Sequence, residues 1–179
     1  MVDDARFDWL ADLMDVRPGT QLLELGPGPG ASLAHIARRL TTGRIVGLDR
    51  STTATTRARE RCAAEITAGR VRIVDGAIGA IAPDRLLSEL DDPATGFDLV
   101  FASNVNAFWT GPATAEWNLV RHCLAPTGTL WLCYGYGSPT DPPTSAKPTP
   151  AQLTSRLTTA GFTPTLTTAG DLLAVRAKP

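Results

Sequence analysis

Five short apolar runs recur along the chain: QLLEL (21–25), RIVGLD (44–49), VRIVD (71–75), FDLVFAS (97–103) and TLWLCYGYG (129–137). Each of the first four is followed by a stretch of helical character: ASLAHIARRL (31–40), residues 52–68, PDRLLSELDD (83–92) and residues 112–124. Strands that alternate with helices pair in parallel through right-handed crossovers, and the helices then cover both faces of one open sheet. Phe7, Leu10 and Met14 add an amphipathic helix ahead of the first strand, and AQLTSRLTTAG (151–161) adds one after the fifth. The tail breaks the alternation. Two short runs within 162–178 flank Ala169-Gly170-Asp171, close enough to form an antiparallel hairpin. The expected fold is α/β, a Rossmann-like three-layer sandwich whose mostly parallel seven-stranded sheet ends in an antiparallel C-terminal hairpin.

At about 150 residues per domain, 179 residues make one domain over 1–179, led by a helical segment in 1–19. Between the fifth strand and the last helix, GSPTDPPTSAKPTP holds five prolines and no apolar residue beyond one alanine. The 135–150 segment is therefore expected to be a loop or mobile flap.

Composition excludes several classes. The net charge of −1 argues against a strongly basic nucleic-acid footprint. No apolar run reaches membrane-spanning length. The N-terminus carries five aspartates in MVDDARFDWLADLMD, the reverse of a basic leader. Three cysteines without CxxC spacing suit a reduced, cytoplasmic setting with no zinc site. There is no HExxH, no GxSxG and no metal-ligand cluster. His35 and His122 sit on helices away from the ligand edge, where structural or surface roles are expected.

The chemistry concentrates at strand ends, because ligands of an open parallel sheet bind at its carboxyl edge. Glu24-Leu25-Gly26-Pro27-Gly28-Pro29-Gly30 joins the first strand to the first crossover helix. Gly26-x-Gly28-x-x-Ala31 satisfies the dinucleotide fingerprint. Pro27 and Pro29, however, lack the N–H groups that a pyrophosphate needs. Glu24 adds a carboxylate, which repels a diphosphate and attracts an ammonium. S-adenosylmethionine carries an amine, a sulfonium and no phosphate, and so fits this loop better than NAD does. Asp49 ends the second strand 23 residues after Gly26, the spacing of a ribose-binding acid. Asp75 and Gly76 end the third strand, where a carboxylate and an N–H can meet adenine. Ser103 and Asn104 end the fourth, and Phe108 and Trp109 follow as wall or helix anchor. Tyr134 and Tyr136 end the fifth.

This pattern resembles the class I S-adenosylmethionine-dependent methyltransferases over nearly the whole chain. LELGPGPG looks like that family's first motif, E/D-x-G-x-G-x-G, with Glu24, Gly26, Gly28 and Gly30 in register. GLDRS looks like the second, with Asp49 as the ribose acid and Arg50 beside it. VDGAI looks like the third, with Asp75 and Gly76 flanking adenine. FDLVFASNVNAFW looks like the fourth, whose Ser103 and Asn104 face the methionine end. LAPTGTLWL (124–132) and the terminal hairpin agree with the family's fifth strand and its late antiparallel strand. The fourth motif lacks the D/N-P-P-Y/F/W signature of nucleic-acid amino methyltransferases, so base methylation is disfavoured. The resemblance implies an enzyme that moves a methyl group by direct displacement to a small-molecule acceptor, with no nucleic-acid or membrane partner. The first helix, the 104–111 loop and the 135–150 loop are left to recognise that acceptor. Tyr134, Tyr136 and Asn104 are the candidate catalytic residues. The rival readings are a non-catalytic ligand-binding or scaffolding protein of the same fold, and an NAD(P)-dependent oxidoreductase.

Overall fold

The computed structural model describes residues 2–144 and 146–179. Met1, at the head of the expected N-terminal helix, and Ser145, inside the 135–150 loop, lie outside the described residues. Helix α1 (Val2–Leu13) leads into β1 (Gln21–Leu25) and α2 (Ala31–Ile36), which tightens to a 3-10 turn over Ala37–Arg39. Then come β2 (Arg44–Asp49), α3 (Thr52–Arg61), α4 (Ala63–Thr67), β3 (Val71–Asp75) and α5 (Pro83–Leu87). After a 3-10 turn at Pro93–Thr95 follow β4 (Phe97–Ser103), α6 (Ala107–Thr110), α7 (Thr114–Cys123) and β5 (Leu124–Tyr134). Helix α8 (Pro150–Thr159) and the hairpin β6 (Thr163–Ala169) and β7 (Leu172–Lys178) close the chain.

The seven strands form one sheet in the order β3-β2-β1-β4-β5-β7-β6. Strands β1 to β5 pair in parallel, whereas β7 runs antiparallel to both β5 and β6. Strand β1 has β2 on one side and β4 on the other, so the loops after β1 and β4 leave in opposite directions. A cleft opens at that reversal.

Both faces of the sheet are covered, which is why its inner strands read as continuous apolar runs. Leu23, Leu25, Val46, Leu48, Val100 and Leu132 pack on one side with Leu86, Leu119 and Leu157 from α5, α7 and α8. Leu22, Ile45, Val71 and Phe101 pack on the other with Leu10, Leu33 and Ile36 from α1 and α2. Each such side chain, once buried, contributes about 1.5–3 kcal/mol. Phe7, Leu10 and Met14 are buried as their spacing predicts. Helix α1 is pinned on α2 by Asp8, which meets His35 Nε2 at 2.8 Å and Arg39 at 3.3 Å. His35 is thus a bracing residue.

Several helices are shorter than their patterns. The 52–68 helix breaks at Cys62, whose backbone leaves the helical region (φ −97°, ψ 19°) while its thiol packs under Gly30. The 112–124 segment begins its helix only at Thr114, after Ala113 in the left-handed region, and α6 forms separately before it. Strand β5 starts earlier than expected and ends at Tyr134, so Tyr136 lies beyond the strand. The 135–150 segment is tied down rather than loose. Asp171, 0% exposed in the hairpin turn, accepts the N–H groups of Tyr136, Gly137 and Thr144 and the Lys147 ammonium. Ser138 and Pro148 are buried in the process, although the polar composition of the loop argues for solvation.

Candidate cofactor site

The loop from β1 to α2 is shaped by three glycines with left-handed backbones, Gly26, Gly28 and Gly30. A Cβ on Gly26 would stand 2.8 Å from Val105, and one on Gly30 2.9 Å from Ala58. No N–H remains for a diphosphate in this loop. Gly26 donates to Leu48 O, Gly30 donates to Pro27 O, and Gly28 donates to Asp49 Oδ2 at 2.9 Å. Pro27 and Pro29 have none to give. The loop itself thus offers a dinucleotide no backbone donor, as its prolines predict, while the glycines still leave an open backbone cradle.

Asp49, at the end of β2, faces this cradle. Its Oδ1 accepts from Ser51 N and its Oδ2 from Gly28 N, each at 2.9 Å. A carboxylate has about four lone-pair sites, so acceptor capacity remains for a pair of hydroxyls. The cleft beside it measures about 520 Å³, within the range of small-molecule sites. Gly26, Leu48, Asp49 and Arg50 form one wall, Gly76 to Gly79 a second, and Val105 to Ala107 with Glu116 a third.

Glu24 lies under the loop and does not line the cleft. It is 1% exposed, and β1 points it towards α2, where Oε1 accepts from Ser32 Oγ at 2.6 Å. Its Oε2 has no partner among the described residues. Burial pushes its carboxyl up to about 8, against the bond from Ser32 and with help from the Asp49 charge. Burial thus favours the uncharged carboxyl and weakens the attraction for an ammonium expected of it.

Other expected site residues also lie outside the lining. Asp75 turns to α3, where Arg59 Nη2 at 2.6 Å and Thr55 Oγ1 hold it, and these bonds keep its carboxyl below the usual range. Asn104 is engaged at both ends of its amide. Nδ2 donates to Gly135 O at 3.0 Å and Oδ1 accepts from Gly135 N at 2.9 Å. Tyr134 is buried and donates to Val105 O at 3.0 Å, and burial raises its phenol further above neutrality. Tyr136 is 62% exposed, with the Arg6 guanidinium 5.9 Å from its ring centre. Ser103, Gly28 and Gly30 do not line the cleft. Glu116, Ile78 and Asn106 line it unexpectedly. Ile78 and Asn106 fall within the VDGAI and FDLVFASNVNAFW runs; Glu116 lies in no motif, and an acid in the first turn of a helix reads as an ordinary complement to the helix dipole.

A family model described as "Methyltransferase domain" matches residues 23–130. The chain belongs to the methyltransferase-domain family. Its architecture is the class I fold of S-adenosylmethionine-dependent methyltransferases. This methyltransferase domain is similar in fold to "a SAM dependent methyltransferase from Aquifex aeolicus" (14% identity, 98% of this chain, 90% of that one, TM-score 0.73). A Thiobacillus denitrificans SAM-dependent methyltransferase in complex with S-adenosyl-L-homocysteine is also similar (23% identity, 71% of this chain, 46% of that one, TM-score 0.54). A curated Streptomyces fradiae protein, "Uncharacterized 37.1 kDa protein in transposon TN4556", is 36% identical over 93 residues, 48% of this chain. The chain covers 27% of that relative's length. Among the described residues, no helix of the methyltransferase domain is long and apolar enough to cross a membrane.

Proposed function

We propose that the whole chain works as one domain that binds S-adenosylmethionine in this cleft and methylates a small-molecule acceptor by direct displacement. One observation carries the cofactor reading: the glycine loop keeps its cradle but has no N–H left for a diphosphate, while Asp49 retains acceptor sites for hydroxyls. When bound, the cofactor supplies a methyl group on a sulfonium; the acceptor's lone pair forms the new bond as the carbon–sulfur bond breaks. The chain's part is to bind and align. Asp49 holds the ribose, and Gly26 lets the ligand approach the backbone. Alignment of this kind supplies about 7–11 kcal/mol of a bimolecular barrier.

Among the described residues, no side chain at the acceptor edge is placed as a strong base. The Tyr134 hydroxyl and the Asn104 amide brace backbone, so an acceptor proton leaves to water. The near-neutral charge supports a metabolite-sized acceptor rather than a nucleic acid. Three buried, unpaired cysteines support a reducing, cytoplasmic setting.

Thermal shift with S-adenosylhomocysteine and with NAD tests the cofactor. At a hundred times its Kd, a ligand stabilises by about 2.7 kcal/mol. A shift with the adenosyl ligand and none with NAD is expected, and the reverse sinks the reading. Mass spectrometry of a metabolite extract treated with methyl-labelled S-adenosylmethionine then identifies the acceptor.

A further inference from the structure

We infer that Glu116, rather than Asp75, reads the amino edge of the cofactor's adenine and makes the cleft selective for adenosyl over inosyl ligands. The inference rests on the cofactor reading above. Asp75 does not line the cleft, and its carboxylate is engaged by Arg59 and Thr55 on α3. The chain that follows it into the cleft wall is Gly76, Ala77, Ile78 and Gly79, with no side-chain acceptor. Among the described residues, the carboxylates that line the cleft are Asp49 and Glu116. Asp49 sits at the end of β2 and already receives two backbone N–H groups.

Glu116 stands on the first turn of α7. Its carboxylate lies against Gly79, so near that a Cβ there would be 3.0 Å from Oε1. Among the described residues Glu116 has no hydrogen-bond or ion-pair partner, although it is half-buried in the cleft wall. A carboxylate in that setting gains from a ligand donor.

The sheet order assigns the donor. The cleft runs from the β3 loop, past β2, to β1 and β4. With the ribose at Asp49 on β2 and the amino-acid end at the glycine loop of β1, the base falls on the β3 side, where Glu116 meets Gly79. Acceptors enter from the other side, at β4 and β5. Adenine carries an exocyclic amine, which donates. Hypoxanthine carries a carbonyl at the same place, which sets lone pairs against a carboxylate. Glu116 therefore favours the first and opposes the second. The small size of Gly76, Ala77 and Gly79 follows: it lets the base edge reach across to α7.

Titration calorimetry of the full chain with S-adenosylhomocysteine and S-inosylhomocysteine tests this. The wild type is expected to prefer the adenosyl ligand by at least about tenfold, the scale of one charge-assisted hydrogen bond. Glu116→Ala is expected to bring the two affinities within about twofold, because the discriminating group is gone. Glu116→Gln preserves side-chain volume, and its amide can both donate and accept, so the preference narrows there too. Asp75→Asn is expected to keep the wild-type ratio. Wild-type preference in Glu116→Ala, or its loss in Asp75→Asn, overturns the inference while leaving the cofactor reading intact. Failure of the wild type to bind either ligand overturns both.

Discussion

The two halves of the carboxyl edge are built on opposite plans. On the β1–β2–β3 side the site is made of backbone: left-handed glycines, N–H groups folded back on their own loop, and one aspartate at a strand end. On the β4–β5–β7 side polar side chains act as braces. Asn104 clasps Gly135, Tyr134 holds Val105, and Asp171 gathers the 135–150 loop at both ends. On the proposed function, the first half takes the cofactor, whose form does not vary. The second holds its own loops in register and leaves recognition to what those loops display.

This division can be broken by single substitutions. Asp171→Ala leaves the Lys147 ammonium and several N–H groups without their buried partner, so urea unfolding should show a loss of about 3–5 kcal/mol. Affinity for S-adenosylhomocysteine should barely change; a collapse in affinity would join the two halves into one unit. Asp49→Ala should do the reverse. Calorimetry should show about 1.5–3 kcal/mol of lost cofactor affinity, towards the upper end because Gly28 also loses its anchor, with unfolding little altered.

Glu24 links the site to pH. Its carboxyl is raised from 4.5 to about 8 in the folded chain, so the folded state holds a proton that the unfolded state releases. Its contribution is full below about 4.5 and is lost as pH rises towards 8. From pH 6 to 7 the wild type should lose about 1.4 kcal/mol that Glu24→Gln retains, read from denaturation at each pH. The smallest effect belongs to Tyr134→Phe, which should cost about 0.5–1.5 kcal/mol of stability. Its methyl-transfer rate should stay near that of the wild type, and a fall of about a hundredfold or more would make the hydroxyl a base.

Strands β1 to β4 are legible to the residue, because each is a buried apolar run bounded by glycine, proline or a charged turn. The glycine loop and Asp49 are legible for a related reason: tight turns at strand ends demand particular residue types at short range. What the residues do not disclose depends on partners far along the chain. Asn104 and Gly135 are 31 residues apart, and Tyr136 and Asp171 are 35 apart. An acid at a strand end reads as a ligand group until Arg59, on the earlier helix α3, turns Asp75 aside. The break at Cys62 follows from close packing on Gly30, which helical periodicity cannot register. Glu116 reaches the cleft only because the chain bends at Ala113 before α7 begins.

The alternation of proline and glycine in Gly26-Pro27-Gly28-Pro29-Gly30 bears on how a ligand arrives. Proline fixes φ near −65° even in the unfolded chain, so two links of this loop are set before folding. The intervening glycines are held by Leu48, Asp49 and Pro27 without any ligand. A cradle already cast has little disorder left to lose on binding. Capture should then proceed by simple collision, with an observed rate that climbs linearly with ligand concentration and shows no plateau from a slow closing step.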